Sequence, residues 1–142
     1  MPTSLQGPVS LLGRILLSTI FVMSALGNKI PNFDQVAGFM ATAGVPFPKI
    51  ALAGAIVFLI AGGASVILGY KARIGAALLL VFLALATFYF HNFWAQTDPK
   101  VQQEYMIQAM KNLSMMGAML FIIANGSGAW SLDRRSTGVV SH

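Results

Sequence analysis

The chain has no cysteine. Disulfides, a Cys-x-x-Cys redox centre, thiolate metal ligands and a cysteine nucleophile are therefore excluded. Charge is scarce too. Lys, Arg, Asp and Glu make up 9% of the residues, against about 25% in an ordinary soluble domain. So few charges cannot cover a water-facing surface, and part of the solvent must be lipid. Only four carboxylates and two histidines occur, widely scattered, and one histidine is the terminal His142. A metal site is not expected from such a set. The net charge of +5 is not gathered into a basic run, and no nucleic-acid-binding motif is present. Nucleic acid is therefore not an expected partner. The basic excess reads instead as topology information and as contact with anionic lipid.

Apolar residues are abundant, at 56% of the chain. They form four long runs, at about 9–27, 50–69, 74–93 and 105–124. Each is close to hydrocarbon thickness at the helical rise. Backbone groups in lipid must bond to one another, so the runs predict helices, and nothing alternates as a β-barrel strand would. The expected fold is all-α: one membrane domain over residues 1–142, built as a polytopic bundle of four transmembrane helices. The first run lacks a basic leader and contains Arg14, which argues against a cleaved signal peptide.

The connection between the first two runs is too long for a turn. In it Phe33, Val36, Ala37 and Met40 recur at i, i+3, i+4 and i+7, which predicts a short interfacial helix over 33–43 that ends at Gly44 and Pro46. The connection 94–104 holds Asp98-Pro99 and reads as a loop. In the second run Gly54, Phe58, Gly62, Ser65 and Gly69 fall near one face, the mark of a closely packed helix in lipid. The eight methionines read as core filler. Lys71, Arg73, Arg134 and Arg135 lie on one side of a four-span topology. Opposite them Lys29, Lys49 and Lys100 are offset by Asp34, Asp98 and Glu104. This predicts both termini in the cytoplasm.

The polar residues inside the apolar runs carry what functional information there is. Gln108, Lys111 and Asn112 share a helical face in the last run. An ammonium group there must snorkel, find a partner or meet water. In the third run Thr87, His91 and Trp94 share a face among Phe88, Tyr89, Phe90 and Phe93. Either this is an interfacial aromatic belt, or His91 donates to a ligand or relays a proton. In the first run Arg14, Ser18, Phe21, Ala25 and Asn28 line one stripe. Arg14 is read as snorkelling, or as an ion pair with Asp133 that fastens the tail to the bundle. These placements predict an outer-facing pocket of Asn28, Lys29, His91, Asn92, Lys111 and Asn112, with walls of Phe21, Phe39, Phe88 and Trp94. It would hold a small lipophilic molecule. The alternative is a hydrogen-bonded seam that only locks helices together.

The segments Gly13-Arg14-Ile15-Leu16-Leu17, Gly27-Asn28-Lys29-Ile30, Gly44-Val45-Pro46, His91-Asn92-Phe93, Lys111-Asn112-Leu113 and Gly126-Ser127-Gly128-Ala129-Trp130-Ser131-Leu132-Asp133-Arg134 occur in that order. In order and spacing the chain resembles the DoxX family of bacterial inner-membrane proteins from about residue 9 to 135. The resemblance implies a four-helix membrane bundle. Its recurrent polar positions correspond to Arg14, Lys29, His91, Lys111, Asn112 and Asp133. It also implies a membrane subunit or accessory factor in a quinone-linked or oxidative-stress system. A quinone is then the expected non-covalent ligand, and soluble redox proteins or a second copy of the chain the expected partners. With no cysteine, any thiol chemistry must come from such a partner. No flavin, haem or nucleotide fingerprint points to independent catalysis. A ligand-free membrane scaffold is the competing reading, and a small-solute transporter the third.

Overall fold

The structure, a computed structural model, describes residues 2–137; His142 lies outside them. Six α-helices follow in order: α1 (Thr3–Ser24), α2 (Phe33–Thr42), α3 (Pro48–Leu68), α4 (Ala72–Phe90), α5 (Pro99–Asn125) and the short α6 (Leu132–Thr137). A π-helical turn, Ala25–Lys29, prolongs α1, and a single 3-10 turn, Phe93–Ala95, follows α4. Among the described residues four helices are long and apolar enough to cross a membrane, the ones that contain α1, α3, α4 and α5. The fold is the expected all-α polytopic bundle.

The helix ends follow local chemistry. Helix α3 starts with Pro48 in its first turn, where the missing N–H costs nothing. It ends at Gly69, whose φ of 65° is the left-handed conformation glycine adopts without penalty. A side chain at Gly69 would also run into Ser131 of the C-terminal segment. Helix α5 begins at Pro99, six residues before the last apolar run. The Asp98 carboxylate accepts the Lys100 backbone N–H at 3.0 Å. The Asp98-Pro99 pair, read from sequence as part of a loop, is thus an N-cap followed by an N1 proline. Helix α1 likewise begins at Thr3 rather than near residue 9. Trp130 lies against Gly7, where any side chain would collide with the indole.

The spanning helices pack in series, α1 on α3, α3 on α4 and α4 on α5, while α2 rests on α3. Helix α3 is central because its glycines let both neighbours approach. A Cβ at Gly62 would sit 2.7 Å from Leu79 Cγ and 2.9 Å from the Gly75 carbonyl of α4. One at Gly63 would sit 2.7 Å from Val22 Cγ2 of α1. This is the small-residue contact that replaces the hydrophobic effect between helices in lipid. Gly54, expected on the same packed face, has open space around it instead. The core joins Phe21, Ala25, Leu59, Val66, Ala76, Leu79, Leu83 and Met119. Leu12, Leu16, Val57, Val81, Leu113 and Phe121 face outward, as lipid solvation requires.

The serial order leaves α1 and α5 with little direct contact along their length. They are joined at the end that carries both termini. Arg14, only 5% exposed, donates from Nη1 to the carbonyls of Ser127 (2.5 Å) and Ala129 (2.9 Å) and from Nη2 to that of Trp130 (2.5 Å). Its Nε reaches the Ile67 carbonyl at 3.4 Å. The Asp133 carboxylate accepts the N–H groups of Lys71 (2.7 Å) and Ala72 (3.0 Å), which caps α4. The expected direct Arg14–Asp133 pair is thus replaced by a clamp on backbone atoms. The tail curls so that its carbonyls converge on the guanidinium, and Asp133 satisfies the first N–H groups of α4. The tail is still fastened to the bundle.

Candidate functional site

At the opposite end, between α1 and α5 and beneath α2, lies a cavity of about 880 Å³. Small-molecule sites commonly enclose about 300–1,000 Å³. Its walls are mostly apolar: Ile20 and Phe21 from α1, Phe39 and Met40 from α2, Gly54 and Phe58 from α3, Phe82, Ala86 and Phe90 from α4, and Met115 from α5. Phe39 stacks on Phe90 with ring centroids 5.5 Å apart, so α2 forms a lid over this end.

The polar groups converge from three helices. The π-helical turn delivers those of α1. An α-helix would place residue i+5 about 140° around the axis from residue i. The π-helical turn, marked by the Ile30 N–H bond to the Ala25 carbonyl at 3.0 Å, brings Lys29 back over Ser24. Lys29 Nζ donates to Ser24 Oγ at 2.6 Å and lies 5.7 Å from the Phe82 ring centroid. Among the described residues no carboxylate lies within ion-pair distance of it. Single π turns inside α-helices are frequently found at functional sites. Asn28, Asn32 and Gln35 complete this side.

On α5, Gln108 and Asn112 line the cavity one turn apart. Asn112 is buried, and its Nδ2 donates to Thr87 Oγ1 at 3.1 Å, which ties α5 to α4. His91 ends α4: its N–H bonds the Thr87 carbonyl at 3.1 Å and its ring meets Tyr105 edge-on at 6.3 Å. His91 Nδ1 is buried and finds no hydrogen-bond partner among the described residues.

The structure therefore gathers Asn28, Lys29, His91, Asn112, Phe21 and Phe39 around one cavity and leaves four expected residues outside it. Lys111 is exposed and does not line the cavity. It is Asn112's neighbour, so about 100° separates the two on the helix; Asn112 faces inward and Lys111 outward, where a long side chain can snorkel. Asn92 instead accepts from Gln96 Nε2 at 3.2 Å in the turn after α4. Phe88 and Trp94 pack on each other at 6.3 Å on the outer surface, with Phe88 59% exposed. They form the aromatic belt rather than cavity walls. Ser24, Asn32, Gln35 and Phe82 also line the cavity, beyond the expected set. Ser24 could not be found from a 3.6-residue period, because its partnership with Lys29 depends on the π-helical turn.

Four helices long and apolar enough to cross a membrane define an integral, multi-pass membrane protein. The sequence comparisons name its relatives. The chain belongs to the DoxX family, whose profile matches residues 9–92. Inner membrane protein YphA of Escherichia coli K12 is 35% identical over 126 residues, covering 88% of each chain. Inner membrane protein YqjF of the same organism is 30% identical over 124 residues, covering 87% of this chain and 88% of its own. A Surfeit locus protein 4 homolog of Drosophila melanogaster is 27% identical over 133 residues, covering 85% of this chain and 47% of its own. No solved structure matches. The inner-membrane relatives and the four apolar helices agree on a multi-pass protein of the bacterial inner membrane.

Proposed function

We propose that this protein binds a small lipophilic molecule in the cavity between α1 and α5, as a membrane subunit or accessory factor of a quinone-linked or oxidative-stress system. The observation that carries the reading is the cavity itself: apolar walls with polar groups converging from α1, α4 and α5 at one end. A quinone or a similar molecule fits that division. Its ring would lie among Phe39, Phe82 and Phe90, and an oxygen would accept from Lys29. His91 Nδ1, buried and unpartnered, is a further group that such a ligand would satisfy. With Lys71, Arg73, Arg134 and Arg135 at the terminal end, we infer cytoplasmic termini and a cavity on the outer side. Any electron transfer would need soluble redox proteins or another cofactor-bearing partner.

The test is titration of the purified protein with decylubiquinone, with the remaining free ligand measured after separation. Saturable binding is expected, with an affinity that changes between about pH 5 and 8 through His91. Absence of saturable binding overturns the proposal, and a flat pH profile removes His91 from it.

One observation favours a second reading. The Asn112–Thr87 bond joins α4 to α5 without any ligand, as a scaffold with locking polar residues would require. Such bonds contribute about 0.6 kcal/mol on average in membranes. If Asn112→Leu lowers thermal stability while the parent protein retains no small molecule through gentle purification, the scaffold reading stands.

A further inference from the structure

We infer that the occupant of this cavity is an amphiphile with an anionic head on an apolar chain, which enters sideways from the bilayer between α1 and α5. The inference rests on the cavity-binding reading above and narrows its ligand class. Three independent features lead to it. The first is charge. Lys29 is half-buried beside the cavity, and its contacts are a serine hydroxyl at 2.6 Å and the face of Phe82. Neither neutralises an ammonium group, and among the described residues no carboxylate lies within ion-pair distance. A cation in a low-dielectric site is stabilised by an opposite charge, and here the ligand can supply it. The second is backbone geometry. The π-helical turn prolongs α1 at residues that line the cavity, Asn28 and Lys29, and turns Lys29 onto the same side as Ser24. A helix is given such a turn at a cost, and the gain here is one inward cation. The third is access. The helices pack in series from α1 to α5, and the two ends of the series are bridged at the terminal end by Arg14 but scarcely touch elsewhere. Ile20 and Phe21 of α1 and Met115 of α5 all line the cavity. An acyl chain can slide through an apolar seam while its head stays at the level of Lys29. A water-soluble ligand would gain nothing from this entrance.

The experiment uses the full chain in phosphatidylcholine nanodiscs. Dansyl-undecanoate, its methyl ester and decylubiquinone serve as probes, and lyso-phosphatidylglycerol as a competitor. The carboxylate is expected to bind at least about tenfold more tightly than the ester, the factor lost with one charge-assisted hydrogen bond. Lys29→Gln should remove that preference, and Lys29→Arg should keep it. Displacement by lyso-phosphatidylglycerol would identify the head as a lipid phosphate; displacement only by free fatty acid would identify a carboxylate. Equal binding of acid and ester, or a preference that survives Lys29→Gln, overturns the anionic head while decylubiquinone binding leaves the cavity reading in place. Failure of every probe to bind overturns the cavity reading itself. The route is tested separately, since the cysteine-free background allows one defined cross-link. Bridging Ile20→Cys to Met115→Cys with a flexible bis-maleimide should slow association at least about tenfold; an unchanged rate overturns entry between α1 and α5.

Discussion

Replacing Arg14 by methionine should be the most damaging single change at the terminal end of the bundle. The guanidinium makes three short bonds to carbonyls, at 2.5, 2.9 and 2.5 Å, and a long fourth at 3.4 Å. A hydrogen bond to a charged group contributes about 1.5–3 kcal/mol net, and an orphaned buried acceptor costs about 1–3 kcal/mol. Three such bonds would sum to about 4.5 kcal/mol at the lower figure, but methionine also avoids the cost of burying a charge. A loss of about 3–4 kcal/mol remains. For a chain of this size that corresponds to a fall in Tm on the order of 10 °C, measured by scanning fluorescence in a fixed detergent. Arg14→Lys should keep part of the stability, because an ammonium group can reach some of the carbonyls but cannot span the fork. The fall should be accompanied by loosening of the tail, read as a shift in Trp130 emission in a Trp94→Phe background. A methionine variant that melts within about 2 °C of the parent, with unchanged Trp130 emission, would refute the claim that Arg14 holds the tail.

Two further outcomes follow from the packing. Gly62→Val should lower Tm more than Gly54→Ala, because a Cβ at Gly62 meets Leu79 and the Gly75 carbonyl while one at Gly54 meets nothing within 4 Å; overpacking of this kind costs about 1–3 kcal/mol. Lys111→Met should leave cavity binding of decylubiquinone unchanged within about twofold, since the side chain points away from the cavity; a larger loss would return Lys111 to the site.

The spanning helices were legible because lipid imposes one rule on every residue of a run, and 20-residue apolar stretches leave no other structure. The fastening of the tail near Arg14 was legible too, since a buried cation needs acceptors. That the acceptors are carbonyls of Ser127, Ala129 and Trp130 was not, because it depends on a chain reversal whose positive φ values at Gly126, Gly128 and Trp130 leave no periodic pattern. The cavity residues of α5 were half legible. Gln108, Lys111 and Asn112 share a broad arc, but which edge turns inward depends on where α4 packs, and that is a tertiary fact. Lys29 lines the cavity, although its hydrogen bond to Ser24 spans five residues and no α-helical period contains it. Phe88 and Trp94 show the converse: aromatic residues near a polar cluster in sequence belong to the surface belt once α4 is oriented by Gly75 and Leu79.

The central claim is that the space between α1 and α5 holds a ligand rather than merely separating helices. Gly54→Phe tests it most directly, because Gly54 faces the cavity and a side chain there meets open space. A phenyl ring at this position should abolish saturable decylubiquinone binding while Tm of the ligand-free protein stays within about 3 °C of the parent, less than the shift that about 1 kcal/mol gives at this size. Binding that persists unchanged in a folded Gly54→Phe protein would contradict the account.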